Sequence, residues 1–203
     1  MHIPDGFLDI KTSAVTNIVS FVFLIYAIKK VNRFIVPDRI PLMGVSAAFV
    51  FTIQLISFPV IGGTSVHILG SVLTAVLLGP LSAFLIVSSA LILQALLFQH
   101  GGIISLGANI FNIAVTGCIL GYLIYKIFPT NLLATISSWI SIVIGAGFCV
   151  LELFLSGKIN LKTGLIAMLS THVIAGVIEA TVTYLILSAI DKIKPDLRNI
   201  TKL

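Results

Sequence analysis

The feature that most constrains this chain is a succession of apolar runs long enough to cross a membrane. A helix needs about 20 apolar residues to span a hydrocarbon core roughly 30 Å thick. Such runs lie near residues 13–31, 42–60, 81–99, 103–127, 132–156 and 163–190, and a shorter one, 66–79, sits between Gly62-Gly63 and Gly79-Pro80. Only 9% of the 203 residues are charged and 58% are hydrophobic, whereas a soluble domain carries about 25% charged residues. So little charge cannot cover a water-facing surface. The expected fold is therefore all-α: a polytopic membrane bundle of about seven helices, forming a single transmembrane domain over 1–203. Residues 1–12 precede the bundle, 13–190 form it, and 191–203 make a tail. The third run is too short to span comfortably, and the last is long enough to tilt or emerge.

With the bundle in a bilayer, the net charge of +5 speaks to topology rather than to nucleic acid. Basic residues concentrate on the cytoplasmic side. An N-terminus outside places Lys29, Lys30, Arg33, Arg39, Lys126, Lys192, Lys194, Arg198 and Lys202 inside, and Lys11, Lys158 and Lys162 outside. Nine against three favours N-out and C-in, which agrees with an odd number of spans. The protein is expected to be multi-pass in a prokaryotic inner membrane. No basic n-region precedes the first run, so no cleaved signal peptide is expected and Met1 stands as the mature terminus. Cys118 and Cys149 sit in apolar runs, which argues against a disulfide framework or a zinc site.

Polar residues inside this frame are the functional candidates. His2 and Asp5 lie outside, His67 opens the short third run, His100 ends the fourth, and Glu152 lies near the outer end of the sixth. His172 lies about 15 Å into the seventh at 1.5 Å per residue. All four histidines fall in the outer half. A terminus reading "MHIPDGFL" is a ready-made chelate: the α-amine, the His2 amide nitrogen and the His2 imidazole close a five- and then a six-membered ring around one metal. Three nitrogens in a plane leave a position for a fourth. His67 supplies it, following glycines and hydroxyls in "GGTSVH". Planar nitrogen sites suit Ni(II) or Cu(II), whereas zinc prefers a tetrahedron. Ile3 before Pro4 favours extended chain and Asp5-Gly6 a turn, so the segment can fold back into the bundle; a frayed tail is the opposing expectation.

Other residues carry two readings each. His172 and Glu179 are two helical turns apart and share a face; they line or support a metal pocket, or they lock helices as a buried pair. Asn109 and Asn112 orient a histidine or pack helices. Gly117–Gly121, "GCILG", offers a small-residue face for close contact. Glu152 is an ion-pathway group or a solvated interfacial carboxylate, the second being favoured. His100 is favoured as a loop-end residue over a ligand.

"MHIPDGFL", "GGTSVHILG" at 62–70, "LLGP" at 77–80, "QALLFQHGG" at 94–102, "LGANIFNIA" at 106–114 and "HVIAGVIEA" at 172–180 together resemble the nickel/cobalt substrate-binding subunit (S component, NikM/CbiM type) of energy-coupling factor transporters. The resemblance runs from Met1 to about Ala189. It implies a seven-helix subunit that binds its ion near the outer face, with the Met1 amine, the backbone and side chain of His2, and the side chain of His67 as ligands. Asp5, Thr64, Ser65, His100, Asn109, His172 and Glu179 fall around that site as pocket candidates. The implied partners are a membrane coupling subunit (T component), two cytoplasmic ATPases and, in some members, a small auxiliary membrane subunit.

Cobalt-type members resemble "SCSHP" where this chain reads Thr64-Ser65-Val66-His67, so Ni(II) is the expected cargo and Co(II) the alternative. No cofactor beyond the transported ion is expected. The chain has no G-x-x-x-x-G-K-[ST] loop, so it is not expected to be an enzyme. An intramembrane metalloenzyme would need an open coordination position and a general base. An autonomous channel or secondary carrier would pass metal without any ATPase.

Overall fold

The computed structural model describes residues 1–34, 37–60 and 64–199, without the side chains of Phe34, Asp38, Val60, Thr64, Arg198 and Asn199. Helix α1 (Ile10–Phe34) is followed by a 3₁₀ turn (Pro37–Arg39) and α2 (Ile40–Leu55). An antiparallel hairpin comes next, β1 (Ser57–Val60) with β2 (Thr64–His67). Helices α3 (Ser71–Leu78) and α4 (Pro80–Phe98) precede α5 (Leu106–Tyr125), whose middle, Phe111–Gly121, is wound as a π-helix. Then come α6 (Asn131–Leu155), α7 (Leu161–Ile193) and the short α8 (Asp196–Asn199). Among the described residues five helices, α1, α4, α5, α6 and α7, are long and apolar enough to cross a membrane.

Local chemistry sets the helix ends. Asp9 caps α1 by accepting from the Thr12 amide at 3.1 Å, and it also holds the Ser156 hydroxyl at the end of α6 at 3.1 Å. Thr130 caps α6 through Leu133 and Asn160 caps α7 through Lys162, each satisfying a donor that the first turn leaves unpaired. Prolines stand in the first turns of α2 and α4, where no amide hydrogen is needed.

Helix α3 is the hub, since all eight of its residues are buried. Gly117 and Gly121 on α5 face Ser71 and Val72 of α3 so closely that a Cβ at either would collide. The small-residue face read in "GCILG" is thus the α3–α5 contact. The most extensive helix pair is α6 with α7, keyed by Gly176 under Trp139, whose indole donates to the Val173 carbonyl at 3.1 Å. Large apolar side chains such as Ile18, Phe21 and Leu185 point outward, as a lipid-facing surface requires.

The hairpin departs from the sequence expectation. Residues 57–60 were expected to continue the second span, and His67 to open the third helix. Instead Ser57 pairs with His67 and Pro59 with Ser65 in antiparallel register. Pro59 explains the early end of α2, because an interior proline removes a helical hydrogen bond and clashes with the preceding turn, whereas an outer strand tolerates it. Helix α1 also starts earlier than expected, at Ile10, and α7 continues to Ile193. Gly62, Gly63 and residues 200–203 of the expected tail lie outside the described residues.

Candidate metal site

The first three residues are inside the protein: Met1 is 1% exposed, His2 4% and Ile3 0%. An irregular segment at this depth needs partners for every polar backbone group, and the start of α5 supplies them. The Ile3 amide donates to Asn109 Oδ1 at 2.7 Å. The Ile3 carbonyl accepts from Asn109 Nδ2 at 3.1 Å, the Ser105 hydroxyl at 2.6 Å and the Gly102 amide at 2.9 Å. Asp5 then accepts from the amides of Ile103, Ile104 and Ser105 at 3.0, 2.8 and 3.2 Å. A carboxylate there satisfies the orphan donors ahead of α5 and complements its dipole. Gly101, at φ 85°, turns the loop so tightly that a side chain would meet Asn109 and the His2 ring. The Met1 side chain lies against Gly145 of α6.

This docking brings nitrogen donors together. The Met1 amine donates to the Ser65 carbonyl on β2. The His2 and His67 ring centroids are 4.5 Å apart. His2 places Nε2 3.1 Å from Gln94 Oε1, and His67 places Nδ1 3.0 Å from the Ile68 carbonyl. Each ring therefore spends one nitrogen on a protein acceptor. The other nitrogens, His2 Nδ1 and His67 Nε2, are buried without a partner. Buried polar atoms are nearly always satisfied, so an unpaired nitrogen on each of two adjacent rings marks a place for a ligand. Nδ1 is also the His2 nitrogen that closes a six-membered ring with its own amide. Among the described residues no group of three or more His, Cys, Asp or Glu side chains is placed to hold a metal; the donors assembled here mix side-chain with main-chain nitrogen.

Electrostatics keep these donors neutral. Burial pushes the Met1 amine from 8.0 down to about 5, with the nearby Cys149 thiol acting in the opposite direction. Burial first, and then the neighbouring His67, amine and His100, hold His2 well below its ordinary value, against an opposing contribution from Gln94. Burial, and then the amine, do the same to His67, while its bond to Ile68 opposes them. At neutral pH the amine and both imidazoles carry lone pairs, as metal ligands must.

The remaining candidates fall into two groups. His100 lies in the loop that follows α4, as expected, and its ring is tilted against His2 at 4.1 Å with Nε2 buried and unpaired, so this loop end borders the site. His172 is fully buried on α7, with Nδ1 2.8 Å from the Met168 carbonyl, Nε2 unpaired, and the Ser65 backbone beside its ring. Ser65 touches the site through its carbonyl. The Thr64 side chain lies outside the described residues. Asp5 and Asn109 anchor the N-terminal segment.

Glu179 stands apart from His172. It accepts from the amides of Leu69 at 2.7 Å and Gly70 at 3.0 Å, just ahead of α3. Glu152 is not a solvated carboxylate: it is 7% exposed and accepts from Asn112 Nδ2 at 2.6 Å. Both cysteines are buried free thiols. The sequence reading passed over Gln94 and Gln54; the signal available was an uncharged amide at a spanning-helix position, where polar groups pair inside the bundle.

The chain matches the family described as the cobalt uptake substrate-specific transmembrane region, CbiM, over residues 2–197. A protein of Archaeoglobus fulgidus, provisionally named a fused nickel transport protein, NikMN, is 35% identical over 201 residues, covering 97% of this chain and 67% of that protein. The fused nickel transport protein NikMN of Rhodobacter capsulatus is 40% identical over 127 residues, 63% of this chain and 37% of its own length. A crystal structure of a truncated transition metal transporter superposes with a TM-score of 0.91 at 34% identity, covering 95% of this chain and 99% of that one. These relatives are named as nickel or transition metal transport proteins. The chain belongs to the CbiM family and is a multi-pass membrane component of nickel/cobalt transport.

Proposed function

We propose that this chain is the substrate-capture subunit of an energy-coupling factor transporter and that it takes Ni(II) from the outer face. The Met1 amine, the deprotonated His2 amide, His2 Nδ1 and His67 Nε2 form the coordination plane. The observation that carries this reading is the pairing of two buried, unpartnered imidazole nitrogens beside a buried, neutral amine. A d⁸ ion gains most from four strong-field nitrogens in a plane, which suits Ni(II) better than the tetrahedral preference of zinc. The remaining tasks fall to partners: a T component transmits motion, two cytoplasmic ATPases supply energy, and in some transporters of this type a small auxiliary membrane subunit joins them.

The test is equilibrium nickel binding to the purified protein, followed by its visible spectrum. A planar diamagnetic complex with a yellow absorption band is expected, together with its loss in His67→Ala; an octahedral paramagnetic complex in the unaltered protein would sink the reading. A second reading, Co(II) as cargo, draws on His100. Its unpaired nitrogen beside the His2 ring offers a donor outside the plane, and higher coordination suits cobalt. It predicts that His100→Ala weakens cobalt binding more than nickel binding.

A further inference from the structure

Two glutamines buried in the bundle are left unused by the chelate. Gln54 on α2 and Gln94 on α4 are both 0% exposed, and their amides form a chain of fixed polarity. Gln54 Nε2 donates to the Leu69 carbonyl at 2.9 Å. Gln94 Nε2 is 3.4 Å from both the Phe51 carbonyl and Gln54 Oε1. Gln94 Oε1 is left facing His2 Nε2 at 3.1 Å. A main-chain carbonyl can only accept. Leu69 therefore turns the NH₂ end of Gln54 toward itself and its oxygen toward Gln94. Phe51 and Gln54 together then turn the NH₂ end of Gln94 away from His2. Flipping either amide would set acceptor against acceptor in a buried setting, where unmade hydrogen bonds are costly.

The end of this chain is the metal nitrogen. An oxygen facing Nε2 requires the proton to sit there, which leaves the lone pair on Nδ1. If the NH₂ end faced His2, Nε2 would accept, Nδ1 would carry the proton, and the ring could not chelate with its own amide. We propose that Gln54 and Gln94 are positioning residues that select the chelating tautomer of His2, with the Leu69 and Phe51 carbonyls fixing their sense. This rests on the chelate reading above and extends it to specificity, because only the Nδ1-coordinating ring completes the planar site.

The experiment combines ¹⁵N NMR of histidine-labelled, metal-free protein with titration by Ni²⁺ alone. The His2 signals are identified by their loss in His2→Ala. The unaltered protein is expected to show His2 protonated at Nε2 and bare at Nδ1. Gln94→Met should mix the tautomers and weaken nickel binding about 10- to 100-fold, as removal of an outer-shell partner does. Gln94→Glu should preserve one tautomer and bind close to wild type, since its carboxylic acid can accept from His2 and donate to Gln54. Matching thermal melting of the two variants controls for folding. Protonation at Nδ1 in the unaltered protein would overturn the proposal, as would a Gln94→Met variant with unchanged tautomer and affinity. Equal losses in both variants would overturn it too, because packing alone would then be responsible. The tautomer is read without metal, so a failure of the planar chelate and a failure of the relay are separately visible.

Discussion

Two non-helical segments meet at the site, and they are held in opposite ways. The hairpin strand that delivers His67 has a ladder of its own, with Ser57 opposite His67 and Pro59 opposite Ser65. Its continuation is fixed by Glu179 at the Leu69 and Gly70 amides and by Gln54 at the Leu69 carbonyl. The N-terminal segment has no ladder. The Ile3 backbone is satisfied by Asn109, Ser105 and Gly102, and the Asp5 carboxylate accepts from the amides of Ile103, Ile104 and Ser105, contacts across about a hundred residues of sequence. One half of the site is therefore built into the fold, whereas the other is docked onto it. In the proposed chelate a docked donor can arrive with or after the metal, and the ion would join the two halves.

The difference can be broken outright from the docked side. His2→Ala removes the imidazole that closes the chelate, and nickel affinity measured by calorimetry should fall by more than about a thousandfold, given the energies of metal–ligand bonds. Asn109→Leu leaves every donor in place but takes both clamps from Ile3. Affinity should drop roughly a hundredfold, in line with losing two buried hydrogen bonds at about 1–3 kcal/mol each. Asp5→Ala should weaken binding about tenfold and lower the melting temperature, because three amides ahead of α5 lose their acceptor.

Proton linkage sharpens the comparison. In a free Met-His peptide near pH 7, about a unit below the amine's ordinary value, both the amine and the amide must lose a proton to bind, so affinity rises about a hundredfold per pH unit. In the protein the docked amine, held near 5, is already neutral at pH 7. Only the amide proton is released, and the slope should be about tenfold per unit between pH 6.5 and 7.5. The sign for docking follows from the same shift. A group whose folded value lies below its unfolded 8.0 binds fewer protons when folded, so docking is strongest above pH 8 and weakens as pH falls toward 5. The smallest effect is kinetic. In metal-free protein the amides of His2 and Ile3 should exchange with solvent faster than those of Ser65 and His67, and nickel should bring the two sets together, as read by hydrogen exchange.

Much of this was legible because of how lipid constrains sequence. Runs of about 20 apolar residues leave little but helix to form, and among the described residues the six long runs give α1, α2, α4, α5, α6 and α7, while the short one gives α3. A close-contact face was legible in Gly117 and Gly121, though not that α3 is its partner, and Met1, His2 and His67, which the structure brings together, stand out by their chemistry as a chelate. The hairpin was not legible, since a short apolar run such as Ser57–Val60 reads the same as the end of a span. Neither were the anchors. Asp5 carries a turn signal locally, yet its partners lie 98 to 100 residues away. Gln54 belongs to no motif, and Gln94, which opens "QALLFQHGG", carries no chemical signal of its own there; their meaning comes from which carbonyls face them. The π-helical stretch of α5 left no trace in the pattern, because its bonding shift changes no residue type.

The most direct measurement compares nickel binding by protein beginning at Met1 with protein carrying one glycine before it. The Met1 amine is enclosed beside Ser65, so the added residue moves the amine out of the plane and needs room that the bundle does not offer. The account predicts loss of tight binding and of the planar yellow spectrum in the extended protein, with the fold retained. Equal affinity and an identical spectrum in both proteins would contradict it, and the metal would then have to be sought among His67, His100 and His172.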